Sequence, residues 1–493
     1  MFANDAPRHV VPRWRTATIT SAAGELTPLS EGPRPPMSDK DFLGDKLAEW
    51  REQQTVAHAA DVVGSAIVLG QDAAAREAAE FLVANATEVP SPTYRLALRV
   101  LGREVVSGDL HTAIRTLRRQ LHEEPRSPLT WVDLARAYSI VGQATQATQA
   151  MRAALQLAPQ HRFVLRSAAR LQLHHRDPEH AHDMLRRNTA TRHDPWLMAA
   201  EIAIAELVDR SSNLLKTARD LVEGRSFAPQ HLAELASALA THELRAGNRK
   251  RARRLFQRAL EAPTENVIAQ AEWVARQQGP VEVDDRLLQT PRCFEARAFD
   301  HFWEGRWASS LEETWRWLED EPFSILPVIH GSFVAAVMLE DYAGAEAIIA
   351  RGCGANRQDP RLINNLVFAL ASGGQVPRAI KLHKQARPTP QDDDLYVTWL
   401  ATSGLLQFRS GAHSEGRRLY LEAIERASGV ARQHQRAMAS LFLAREEILS
   451  RSGYGAAAFE RARLLSAALQ LPYLGVLSTR LEHLLRAQDV ETP

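Results

Sequence analysis

Several kinds of residue recur at one fixed interval along the chain. Gly108 and Gly142 lie 34 positions apart, as do Pro125 and Pro159. Ala113, Ala147 and Ala181 form a series at that interval, and Leu117, Met151 and Leu185 form another. Ala345 and Ala379 repeat it later in the chain. A period of this length fits two helices and two turns, and so small a unit can bury its apolar face only by stacking on neighbours. The spacing therefore predicts an all-α array. From about Asp39 onward, apolar residues recur at three and four positions, and no alternation of period two points to strands.

The clearest unit runs PLTWVDLARAYSIVGQATQATQAMRAALQLAPQ from Pro128. Ala135 and Ala147 are small where two helices must cross closely, and Trp131, Leu134 and Tyr138 fill the space around the crossing. Gly142 supplies the left-handed residue that ends the first helix. Pro159 stops the second helix from running into the next unit. With Ala154 and Met151, these residues resemble the tetratricopeptide (TPR) repeat family. The resemblance implies a right-handed superhelical solenoid of about ten or eleven antiparallel helix pairs. It also implies that the first helix of each pair lines a concave groove.

Residues 1–38 carry Pro7, Pro12, Pro28, Pro33, Pro35 and Pro36 and read as a disordered tail. Residues 39–278 form an expected N-terminal array. Residues 279–291, GPVEVDDRLLQTP, read as a linker or long loop. Residues 292–493 form an expected C-terminal array ending in a closing helix. The sequence contains no apolar run long enough to span a membrane and no apolar block near its start. Only Cys293 and Cys353 are present among 493 residues, which excludes a disulfide framework and suits a reducing cytoplasm. A formal net charge of +1 leaves nucleic-acid attraction to local patches.

One such patch is RAGNRKRARRLFQR, from Arg245 to Arg258, where Arg249–Arg258 could touch phosphates. Ala252, Phe256 and Ala259 reduce it to the solvated face of a second helix. HHRDPEHAHD holds His174, His175, His180 and His182, but straddles an expected turn, with its last two histidines on different helix faces. No metal site and no cofactor are expected. No phosphate loop, dinucleotide fingerprint, zinc-protease motif or nucleophile elbow occurs, so the chain reads as no enzyme. Trp303, Trp307, Trp315 and Trp317 crowd one helix pair, and at least one of them should face out of the seam.

Carrying the repeat register along the chain gives a candidate groove. Its first part presents Arg95, Arg99, Arg136, Arg166 and Arg170. Its second part presents Phe299, Phe302, Trp303, Val334, Met338, Asn365, Phe368 and Phe408. Asn364 and Asn365 resemble the asparagine of units that clamp a C-terminal carboxylate, though the accompanying lysines are missing. The resemblance thus implies a scaffold or adaptor, of a kind found in bacteria, for a partner with an acidic stretch and a hydrophobic anchor. The alternative is a regulator that binds nucleic acid or a signal peptide through its basic surface.

Overall fold

The computed structural model describes residues 9–17, 26, 29, 39–69, 72–89, 91–101, 110–224, 226–277, 279–357, 359–385, 393–429 and 432–491. Contacts divide the chain into two units, His9–Glu282 and a second from Val283 onward. The division falls inside the 279–291 stretch. Helices and turns, but no strands, occur among the described residues.

The first unit contains α1 (Asp39–Glu52), α2 (Val56–Leu69), α3 (Arg76–Ala84), α4 (Ser91–Val100), α5 (Leu110–Glu123), α6 (Pro128–Ile140) and α7 (Ala144–Leu157). It continues with α8 (Arg162–His174), α9 (Pro178–Arg187), α10 (Pro195–Leu207), α11 (Leu215–Gly224), α12 (Pro229–Arg245), α13 (Arg249–Ala259) and α14 (Glu265–Arg276). The second unit contains α15 (Asp285–Leu288), α16 (Phe294–Trp303), α17 (Trp307–Asp320), α18 (Leu326–Phe333), α19 (Tyr342–Gly352) and α20 (Pro360–Ser372). After these come α21 (Val376–His383), α22 (Asp393–Arg409), α23 (His413–Arg426), α24 (Gln433–Leu449), α25 (Gly455–Leu469) and α26 (Pro472–Glu491).

The α6–α7 pair shows why the period builds this fold. Pro128 opens α6 at its first turn, where no amide donor is needed. Gly142 adopts φ 74°, and two bonds then close the helix end: Gln143 N–H to the Tyr138 carbonyl at 2.8 Å and Gly142 N–H to the Ser139 carbonyl at 3.1 Å. This reverses the chain with the last carbonyls satisfied. Ala135 and Ala147 are fully buried at the crossing. The same left-handed turn recurs at Gly247, Gly305, Gly374 and Gly411. Gly108 lies outside the described residues. Ala113 does not join the core: it is exposed, whereas Ala147 and Ala181 are buried.

The expectation of a disordered tail over 1–38 fails at residues 9–17, which run extended against the first unit. Trp14 is among the largest fully buried side chains of the protein, and Val10, Pro12 and Arg15 are also buried. Proline excludes helix there but not an extended strip whose carbonyls find donors on the helices it crosses.

Candidate functional site

In the first unit, α6, α8, α10, α12 and α14 lie side by side as the first helices of their pairs. Arg166 on α8 and Glu234 on α12 meet at 2.9 Å, although α10 stands between those helices in the chain. The face therefore curves inward. The same guanidinium donates to the Trp196 carbonyl at 3.0 Å and sits 5.1 Å from the Trp196 ring centroid. Glu234 also accepts from the Asn266 side-chain amide at 3.2 Å. These bonds tie four first helices into one polar floor.

Residues 9–17 lie on that floor. Thr264 caps α14 by accepting from the Val267 amide, which places Glu265 and Asn266 in the first turn. The Asn266 side-chain amide donates to the Val11 carbonyl at 2.9 Å. Arg136 Nε donates to the Trp14 carbonyl at 3.0 Å, and Asp133 accepts from the Ala17 amide at 3.0 Å. Asp133 and Arg136 stand three apart on α6 and so share a face. Arg15 pairs with Glu265, and Arg13 stands 4.0 Å from the same carboxylate. Burial pushes the Glu265 carboxyl up, but the two arginines outweigh it and hold the group below its ordinary value. At the other end of the strip, burial drives His9 down to about 4, against the pull of Glu206 and with a smaller downward push from Arg245. Side chains 10, 12, 14 and 15 are buried, while 9, 11 and 13 are only partly so, and the Val11 amide closes a tight turn onto the His9 carbonyl at 2.8 Å.

The expected groove residues fall differently from their register. Arg136 is on this face and holds the strip. Arg166 is buried in the floor, its charge matched by Glu234, so it is not a free basic site. Arg170 lies beside His174, whose imidazole burial and then the Arg170 charge push down to about 4. Arg95 and Arg99 lie on α4, but their side chains are outside the described ones. The face expected to be basic meets the strip with Asp133 and Glu265 as well as Arg136, while Glu206 near His9 is paired with His242 and Arg245. Sequence reasoning missed Asp133, Glu265 and Asn266. The readable signal is the apolar run Val10–Pro12 followed by Trp14 between Arg13 and Arg15, in a stretch whose prolines argue only against helix.

The apolar positions expected in the second groove belong to the core. Phe302, Val334, Met338, Asn365, Phe368 and Phe408 are buried, and only Phe299 and Trp303 are partly exposed. The reason is α26. Its Tyr473 ring packs against Phe302, Trp303 and Phe333 at centroid distances of 5.3, 6.0 and 6.2 Å. Leu474, Leu477 and Leu481 join the same core. A π-turn over Val334–Met338 follows α18, and Arg480 on α26 donates to the Val337 and Met338 carbonyls there. Asn365 donates to the Ser332 hydroxyl at 2.9 Å inside the core. A cavity of about 60 Å³ remains between α18, α20, α22 and α24, lined by Phe333, Asn364, Phe368, Gln435, Met438 and Phe442 among others.

Other candidates resolve locally. Trp317 is buried, and Trp303, Trp307 and Trp315 are half-buried. His182 bonds to the buried Glu201 at 3.2 Å, and among the described residues no group of three His, Cys, Asp or Glu converges on a metal position. On α13, Arg251 lies near Glu223 and Glu243, and Arg258 pairs with Glu261. Lys250, Arg253 and Arg254 are exposed on its outer side. Cys293 and Cys353 are not joined, and burial pushes the Cys353 thiol up.

Antiparallel helix pairs at a 34-residue interval, with small residues at their crossings and left-handed glycine turns, define a tetratricopeptide-like helical-repeat protein. No family model matches the chain, and no curated protein matches it. Three solved structures are similar to it at 12% identity. The yeast Tom70 crystal structure covers 90% of this chain and 98% of its own, with a TM-score of 0.33. The Cut9-Hcn1 hetero-tetramer of the APC/C covers 94% and 99%, with a TM-score of 0.34. A monomeric IFIT1 mutant with Gppp-AAAA covers 94% and 99%, with a TM-score of 0.33. A likeness this loose carries nothing about what this chain binds. No helix among the described residues is long and apolar enough to cross a membrane.

Proposed function

We propose that this protein is a non-catalytic, cytoplasmic protein-interaction scaffold. Its recognition surface is the inward face of α6, α8, α10, α12 and α14. One observation carries the reading: an extended main chain is already seated there, held through its carbonyls and one amide by Asn266, Arg136 and Asp133. Side chains that read a backbone accept many sequences, while a deep seat for one aromatic ring adds selectivity. A polar floor locked by the Arg166–Glu234 pair is preorganised, which lowers the ordering cost of binding.

Selection from a displayed library of extended peptides tests this. The bait is the full chain carrying Trp14→Glu, which frees the face. Enrichment of peptides that then lose binding to a Trp14→Glu, Asn266→Ala bait is expected. No enrichment, or enrichment indifferent to Asn266, overturns the reading.

A further inference from the structure

We infer that the partner taken by the first unit is a basic, tryptophan-bearing extended segment, of which residues 9–17 are the built-in copy. The inference rests on the reading of this face as a recognition surface and names what it recognises. It reverses the acidic partner expected from the sequence.

The charges decide the sign. Of the basic residues expected to attract an acidic partner, Arg166 is neutralised by Glu234, and Arg136 donates to a neutral carbonyl. The group that meets the charged side chains of the strip is a carboxylate: Glu265 takes Arg15, with Arg13 close by. An acidic segment in the same seat would set its carboxylates against Glu265 in a buried site, which costs far more than the same contact in water.

Shape decides the rest. Trp14 is fully buried and Val10 is 1% exposed, so a partner needs a large flat ring four positions after a small apolar residue. Pro12 lies buried between them and holds the backbone extended. The segment belongs to the same chain, so it acts at an effective concentration of roughly millimolar order. A free peptide of equal intrinsic affinity must compete with it and binds the intact protein weakly.

The test uses full-length protein and one probe, fluorescein-labelled HVVPRWRTA, read by anisotropy. Full-length Trp14→Glu protein is expected to bind the probe at least about tenfold more tightly than the unaltered chain. Adding Asn266→Ala should weaken that binding about tenfold. A probe with tryptophan replaced by alanine, or with both arginines replaced by glutamate, should not bind. A Trp14→Glu protein with full helical circular dichroism that binds the probe no better than the unaltered chain overturns the inference. If Trp14→Glu does not fold, Arg15→Glu makes the same comparison, because it sets two carboxylates against each other at Glu265 and expels only the tethered strip. If selected foreign peptides bind the freed face but this probe does not, the recognition surface stands and the partner assignment falls. If neither binds, both fall.

Discussion

The Asn266 side-chain amide donates to the main-chain carbonyl of Val11 at 2.9 Å across 255 positions of sequence. An asparagine on the first turn of a first helix thus holds the chain's own N-terminal strip. The second unit repeats the principle with a helix, since α26 covers the first-helix side that Phe302 and Val337 line. In each unit, a terminal segment covers the surface that repeat register alone would leave open.

Removing residues 1–17 should lower the melting temperature of the protein. Trp14, Val10 and Pro12 lose their burial, and Glu265 loses the arginines that offset its desolvation. The expected drop is roughly 5 °C, read by circular dichroism. An unchanged midpoint would mean that the strip contributes nothing to stability.

The buried pair beneath the strip should respond asymmetrically. Arg166→Ala leaves Glu234 buried with only neutral donors and is expected to cost about 3–5 kcal/mol in denaturant unfolding. Arg166→Met combined with Glu234→Gln removes both charges and should recover most of that loss. Equal destabilisation by the single and double changes would show that packing, not charge, dominates here.

The pairs and turns were legible because they depend on local chemistry. Gly142 must be left-handed and Ala135 must be small whatever lies elsewhere in the chain. The groove was not legible for a physical reason. Register says which side of a helix Val334 or Met338 occupies, but not whether a segment more than a hundred residues away covers that side. Tyr473 and Arg480 do cover it, which turns expected contact residues into core. Arg136 and Arg166 lie on first helices, as register implies, but their partners, the Trp14 carbonyl and Glu234, lie in parts of the sequence that carry no repeat signal for them.

In the second unit, the aromatic seam should behave as core. Phe302→Ala is expected to cost about 3–5 kcal/mol, since the ring is buried and touches Trp303, Phe333 and Tyr473. Trp303→Ala, at a half-buried site, should cost less. Arg480→Ala should cost about 1–3 kcal/mol by stripping the Val337 and Met338 carbonyls of a charged donor. Chemical denaturation of the three variants checks the order. A Phe302→Ala protein as stable as the parent would return that residue to the surface.

Docking of the N-terminal strip should weaken with acid. His9 has an ordinary value of 6.5 and falls to about 4 when docked, chiefly through burial. Between those values the released strip binds a proton that the docked strip does not. The docked state is therefore favoured fully above 6.5 and loses that advantage as pH falls toward 4. Glu265 does not cancel the effect in this window. Its docked value lies below the ordinary 4.5, so its contribution is lost only under more acidic conditions. Anisotropy of a fluorophore attached at Thr16→Cys should report release, with the docking constant falling on the order of tenfold between pH 7.5 and 5. His9→Gln should flatten the profile over that range while leaving docking at pH 7.5 nearly unchanged. A profile that persists in the His9→Gln protein would assign the proton to another group.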